Sequence, residues 1–133
     1  MKMLKLEKKL KLIRCDLMSS YDIIYHHLNK WCSEYDMLNV DIELHITDRL
    51  RELHYLGLTT FKYDTFGMRY CIVELSDKLN NDFLLTSVFW HEFCHCEPWI
   101  KDGISDGHSG TWSKRLWRKP IYAIGQFLAK IVY

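Results

Sequence analysis

The sequence contains no run of about 20 apolar residues, the length that a helix needs to cross a lipid bilayer. We therefore expect no membrane-spanning helix. The first 14 residues place lysines among their leucines, where a secretory signal peptide would have an uninterrupted apolar core. Internal repeats and low-complexity segments are absent as well. These absences argue against an integral membrane protein and against a repeat array.

Cysteine is present, but its spacing lacks the marks of a disulfide framework. The five cysteines are odd in number, and no two of them form a C-x-x-C pair. We predict that the folded protein contains no intramolecular disulfide. A reducing compartment suits such a chain, so we expect a cytoplasmic location.

Length and composition indicate one globular domain. The chain has 133 residues, of which 48% are hydrophobic and 14% aromatic, so it can bury a substantial core but has no room for a second one.

Charge is spread unevenly, although the formal net charge is only +1. Residues 1–14 carry six bases and one acid, and residues 111–133 carry five bases and no acid. Basic ends around an acidic body are typical of proteins that bind an anionic partner such as DNA, but ordinary solvated helix faces give the same pattern. The candidates for phosphate contacts are Lys8, Lys9, Arg115 and Arg118.

The first half of the chain is predicted to contain two helices and then three strands. Apolar residues at helical spacing indicate amphipathic helices over about residues 3–17 and 21–35. Strictly alternating or β-rich segments indicate strands at about 40–46, 58–63 and 70–75. Together with the helices that follow, these elements predict the α+β fold class.

The second half is predicted to be helical. Capping residues at 80–82 open a long apolar helix, which we expect to end before Pro98 because proline disfavours helical geometry in the residue that precedes it. A short helix is expected over about 109–117, and a last helix follows Pro120. We expect the apolar stripe of this last helix to pack in the core, with docking on a partner or a membrane surface as the alternative. The stripe consists of Ile121, Ile124, Phe127, Leu128 and Ile131.

The long helix contains His91-Glu92-Phe93-Cys94-His95, an H-E-x-x-H pattern. Positions 91 and 95 lie one above the other on one helix face, so both imidazoles can bind one Zn²⁺. Glu92 lies about 100° further round the helix, beside the metal, where it can act as a general base. Histidines in so apolar a helix need a metal or hydrogen-bond partners. We therefore predict a metal site, against the alternative of two histidines in a polar network.

A catalytic zinc site needs a third protein ligand and an open position for water. The metzincin pattern is excluded, because Pro98 and Lys101 stand where it requires glycine and histidine. A glutamate ligand further along is excluded too, because no glutamate follows Glu97. The donors that remain are Asp102, Asp106 and His108.

The metal helix and the segment after it resemble the SprT-like (Spartan-type) zinc metalloproteases, whose pattern is H-E-x-C-H, a variable loop and then G-H-x-x-x-[F/W]. This chain has His91-Glu92-Phe93-Cys94-His95 followed by Gly107-His108-Ser109-Gly110-Thr111-Trp112. The resemblance covers about residues 20–118. It implies a zincin-like fold with N-terminal helices, a small three-stranded antiparallel sheet, the metal helix and C-terminal helices. It also implies zinc held by His91, His95 and His108, with Glu92 as the catalytic residue.

In this interpretation residues 1–133 form a minimal SprT-like domain, with a core over 20–118 and a C-terminal helix over 120–133. The four-cysteine zinc ribbon and the long recruitment tails of many relatives are missing. We therefore expect a catalytic core that works without an appended module. DNA-bound proteins are the substrate class that the resemblance suggests.

The expected chemistry is hydrolysis of a peptide bond by water that zinc and Glu92 activate. A substrate strand would lie along an exposed sheet edge, for which the third strand is our choice. We expect Trp112 to pack beneath the ligand turn. The candidates for stabilising the oxyanion are Tyr63, Tyr70 and His54.

The rival hypothesis is a zinc-stabilised protein- or DNA-binding module that does not cleave. A fourth protein ligand such as Asp102 or Asp106 would complete the coordination of its metal and leave no position for water. The presence of Glu92 favours the enzyme, because a purely structural site has no need of a general base.

Overall fold

A computed structural model describes residues 20–105, 107–108 and 110–133. The helix predicted over residues 3–17, together with Lys8, Lys9 and Cys15, lies outside the described residues, as do Asp106 and Ser109. The described elements run in the order α1 (20–34), β1 (Ile42–Thr47), α2 (Leu50–Leu53), β2 (Gly57–Tyr63), β3 (Arg69–Ser76), α3 (Asp82–Asp102), α4 (Gly110–Leu116) and α5 (Pro120–Val132), with a 3₁₀ turn at Asn39–Asp41. The predicted α+β class is confirmed.

The sheet is mixed, which corrects the prediction of an antiparallel one. Its strand order is β1-β3-β2: β3 pairs antiparallel with β2 but parallel with β1. After β1 the chain passes through α2 and forms β2 at the opposite edge of the sheet. The β2–β3 hairpin then places β3 in the centre, between β1 and β2. The expectation that β3 offers an exposed edge is therefore wrong, because both of its sides are paired.

The core lies between the sheet and helices α1 and α3. The apolar face predicted for the second helix is buried: Ile24, Leu28, Trp31 and Cys32 are each at most 3% exposed. The Trp31 ring lies 4.9–5.4 Å from the rings of Phe89, Trp90 and Phe93 on α3. Aromatic packing thus fixes α1 against the helix that carries the histidine pair.

Helix α3 begins as predicted but ends later. The Asn81 side chain accepts a hydrogen bond from the Leu84 amide and caps the helix. The helix then continues through Pro98 to Asp102, and Gly103 closes it in the left-handed conformation (φ 69°). The residue that the extra turn buries is Trp99, whose indole N–H donates to the Tyr70 carbonyl at 3.1 Å. Tertiary packing therefore outweighs the local cost of proline.

Helix α5 is oriented opposite to the prediction. Its large apolar residues Ile121, Ile124, Phe127, Leu128 and Ile131 are 44–81% exposed. The face turned towards the core consists of Ala123, Gly125, Gln126 and Ala129. A Cβ on Gly125 would lie 2.1 Å from the Ser87 Oγ, so the absence of a side chain lets α5 approach α3 closely. The small residues at the helix crossing determine the orientation of α5, and the larger apolar stripe is left exposed.

Candidate metal centre

Three histidines come together at one end of the cleft. His91 and His95 lie one turn apart on α3, with ring centroids separated by 5.2 Å. His108 reaches them from the loop between α3 and α4, where its Nε2 lies 3.1 Å from the His91 Nε2. The ligand atoms of all three lie within 4.8 Å of one another. Of the open candidates for the third position, the structure brings His108 to the pair, whereas Asp102 lies exposed in the last turn of α3.

The donor set fits a divalent transition metal. Tetrahedral nitrogen ligands at about 2.0–2.1 Å from zinc lie about 3.3 Å apart. The spacing between His91 and His108 is close to this value, and a modest inward shift would complete the set. Burial, with a smaller effect from His95, lowers the pKa of His91 to about 3, and burial lowers that of His108. Burial therefore favours the neutral form of both imidazoles, which is the form that binds a metal.

Trp112 forms the floor of the centre, as predicted. Its ring lies 4.3 Å from the ring of His108, 4.9 Å from His91 and 5.5 Å from His95, stacked at 16° on the last. The indole N–H donates to the His91 carbonyl at 3.3 Å. Helix α4 therefore supports both the histidines of α3 and the histidine of the loop before it.

Glu92 points towards strand β2 and is 5% exposed. Burial raises its pKa to about 8. The Thr59 hydroxyl donates to its Oε2 at 3.4 Å, and a Cβ on Gly57 would lie 3.0 Å from its Cγ. Because Gly57 has no side chain, there is space for the Glu92 side chain against strand β2.

The cleft has a volume of about 660 Å³ and three walls. Residues 54–59 and Phe61 form the first, and α3 with its histidines and Glu92 forms the second. Helix α5 forms the third with Gln126 and Lys130, together with Tyr133 directly after the helix. Strand β2 lies along the cleft, and within the described residues it pairs with β3 alone.

The three candidates for stabilising an oxyanion are placed differently. His54 lines the cleft at the end of α2. Tyr63 instead contacts the ring of Trp99 at 5.2 Å, and Tyr70 accepts the Trp99 indole N–H through its carbonyl. The residue brought to the cleft is therefore His54.

Of the four basic residues proposed for DNA contacts, Arg115 and Arg118 have partners in the fold. Arg115 and Arg118 lie 3.2 Å and 2.6 Å from Glu97 Oε1, and Lys101 lies 3.1 Å from its other oxygen. Glu97 is 4% exposed. These pairs connect α3 with α4 and with the segment that leads into α5. Lys8 and Lys9 lie outside the described residues.

Gln126 was missed by sequence reasoning. Its side chain is 2% exposed, and its Oε1 lies 2.9 Å from the His91 Nδ1. A polar residue among the small residues Ala123, Gly125 and Ala129 is the signal that could have identified this face of α5 as the inner one.

Comparisons of the chain with protein-family models, with curated proteins and with solved structures find no match. The resemblance to the SprT-like proteases therefore stays a prediction from the two sequence motifs. Within the described residues, no helix is long and apolar enough to cross a membrane.

Proposed function

We propose that this protein is a zinc-dependent endopeptidase of the SprT-like type. The observation that carries the proposal is the convergence of His91, His95 and His108 in a cleft that a buried glutamate also lines and a strand edge borders. A three-histidine site supplied by the protein leaves a coordination position for water, as catalytic zinc requires.

The proposed roles follow from the placement of each side chain. His91, His95 and His108 hold the metal. Zinc, when bound, polarises a carbonyl oxygen and makes a water molecule more acidic. Glu92 takes the proton of the attacking water and passes it to the departing amine. Trp112 keeps the histidine rings in place from below.

The proposed substrate is an unfolded or extended segment of a protein. A peptide strand can add to the edge of β2 that faces away from β3, since the backbone groups of an edge strand offer hydrogen bonds to a further strand. The same strand lines the cleft, so an added segment would pass the histidines. DNA-bound proteins remain the substrate class suggested by the family resemblance.

The experiment is cleavage of an unfolded protein by zinc-loaded wild type, by chelator-treated wild type and by Glu92→Gln. We expect cleavage that requires metal, and a loss of at least about 10²-fold in turnover for Glu92→Gln with zinc content unchanged. The matched control is Glu52→Gln, which removes an exposed carboxylate on α2 and should retain full turnover. Equal cleavage by wild type and Glu92→Gln would contradict the mechanism.

Zinc content separates the enzyme from its rival. His108→Ala should lose stoichiometric zinc, and Asp102→Ala should keep it. Zinc retained by His108→Ala, together with no cleavage by wild type, would instead favour the binding module whose metal has an aspartate ligand.

A further inference from the structure

Gln126 is a polar residue buried where an apolar one would pack as well. It stands on α5 between Ala123 and Ala129, both fully buried, and faces α3. Its Nε2 is buried and has no hydrogen-bond partner within the described part of the chain. Burying an amide with one end unsatisfied is unfavourable, so packing by itself does not account for a glutamine at this position.

The other end of the amide contacts a proposed metal ligand. Gln126 Oε1, which can only accept, lies 2.9 Å from the Nδ1 of His91. A neutral imidazole has one N–H, so this contact places the proton on Nδ1 and leaves the lone pair on Nε2. That Nε2 faces the Nε2 of His108 at 3.1 Å, the side on which a shared metal would bind. The contact also limits rotation of the His91 ring about its Cβ–Cγ bond.

The close approach of α5 to α3 is what brings the amide to this place. At the residue before Gln126, a Cβ on Gly125 would come within 2.1 Å of the Ser87 Oγ and 2.8 Å of its Cβ. Ser87 lies one turn before His91 on α3. The glycine therefore allows the backbone contact that sets the distance from Gln126 to the histidine.

We propose that Gln126 is a positioning residue of the metal centre, which fixes the tautomer and the orientation of His91 and thereby strengthens zinc binding. Helix α5 is then part of the metal centre and not only a cover of the core. The inference rests on the proposed zinc site, and it adds a residue outside both sequence motifs. Partners that orient a ligating histidine typically contribute 10–100-fold in metal affinity.

The test compares Gln126→Leu with Gln126→Glu. Leucine keeps the volume and removes the acceptor, whereas glutamate keeps an acceptor at the same reach. We expect zinc affinity, measured by competition with a chelator at pH 7.5, to fall about 10–100-fold in Gln126→Leu and to be restored in Gln126→Glu. The visible absorption spectrum of the Co²⁺-loaded protein should change in Gln126→Leu and return towards wild type in Gln126→Glu.

Thermal unfolding of the metal-free proteins provides the control for packing. Gln126→Leu removes the unsatisfied Nε2 but also the acceptor of the His91 Nδ1–H, and these two effects oppose each other. We therefore expect its stability to stay close to that of wild type while it binds zinc more weakly. A residue with a purely structural role would change stability and affinity in the same direction. Wild-type affinity in Gln126→Leu, or equal weakening in both variants, would overturn the role of Gln126. Wild type that binds no zinc would overturn the proposed function together with this inference.

Discussion

The carboxyl group of Glu92 is deeply buried and lines the same cleft as the three histidines. At 5% exposure its charged form loses most of its hydration, which is why its pKa rises to about 8. In the metal-free protein the group is therefore mostly protonated at neutral pH. A cation in the centre would favour the carboxylate, so metal binding would convert Glu92 to the form that its proposed role as a base requires.

The cost of burying the Glu92 carboxylate should appear as a pH-dependent difference in stability between wild type and Glu92→Gln, both without metal. Glu92 has a folded pKa of about 8 against 4.5 for the ordinary group, so the wild type loses stability as pH rises between these values. We expect the variant and wild type to be equally stable near pH 4.5. At pH 9 the variant should be more stable by roughly 2–4 kcal/mol, within the limit of about 5 kcal/mol that the full shift implies.

The measurement is urea unfolding with chelator present at three pH values. Other titrating groups are common to both proteins and cancel in the difference between them. A difference in unfolding free energy that does not change with pH would contradict the raised pKa of Glu92.

Between elements, the charges around Glu97 join α3 to the helix that supports the centre. Burial acts to raise the pKa of Glu97, but hydrogen bonds and charge from Arg118 and then Lys101 outweigh it and lower the pKa. The Arg118 guanidinium also lies 3.8 Å from the centre of the Tyr35 ring. This cluster holds α4, and with it Trp112, against the C-terminal half of α3.

The Glu97→Gln variant should lose roughly 2–3 kcal/mol of stability at neutral pH, because three cations would keep their place without the buried anion. The folded pKa lies below 4.5, so the contribution of Glu97 is present above pH 4.5 and is lost as pH falls through the folded pKa. Urea unfolding measures both effects. The control is Glu34→Gln at the exposed pair with Lys119, which should cost less than about 0.5 kcal/mol. Equal losses in the two variants would refute a special role for the cluster.

The close contact between helices α3 and α5 leads to a second prediction about the packing of elements. An alanine in place of a helical glycine usually adds about 1 kcal/mol of stability. At Gly125 the added Cβ would meet Ser87 Oγ at 2.1 Å and Phe83 Cζ at 2.9 Å. We expect Gly125→Ala to destabilise the protein by about 1–3 kcal/mol in thermal unfolding, since the helices must separate.

The matched control for the crossing is Gly110→Ala in α4, where a Cβ meets no atom within 4 Å. Combining Gly125→Ala with Ser87→Ala should recover part of the loss, because the closest of the contacting atoms is removed. A stabilising Gly125→Ala would show that the two helices are not in such close contact.

Over the whole molecule, the basic residues of the C-terminal segment differ in whether the fold engages them. Arg115 and Arg118 are engaged with Glu97, whereas Lys114, next to Arg115 on α4, is exposed. Reversing the charge of either arginine would place two acids together and would disturb the fold. The DNA contacts predicted from sequence are therefore tested best at the lysines.

The prediction for DNA is salt-dependent binding that weakens when Lys8, Lys9 and Lys114 are changed to glutamate. Each lost phosphate contact should lower the slope of log affinity against log salt by about 1. Fluorescence anisotropy with single- and double-stranded DNA between about 50 and 200 mM salt measures it. The control is Lys78→Glu, an exposed lysine before α3. Absence of binding at the low-salt end would contradict the predicted DNA contacts. Equal weakening by the control would contradict them as well.

The local features of this protein followed from the sequence. The spacing of His91 and His95 placed them on one helix face, Asn81 capped that helix, and the three strands appeared close to their predicted positions. Such features depend on contacts between residues a few positions apart, and a hydrophobic period records them directly. The same holds for the buried face of α1.

The tertiary structure alone decided how these elements meet. It inserted β3 between β1 and β2, extended α3 past Pro98 to bury Trp99, and turned α5 so that Gly125 and Gln126 face α3. It also brought His108, the ligand that the family resemblance implied, to the histidine pair. Periodicity tells which residues share a face but not which face is buried, because that choice depends on the fit between surfaces distant in the chain. At α5, the closer helix contact prevailed over the larger apolar stripe.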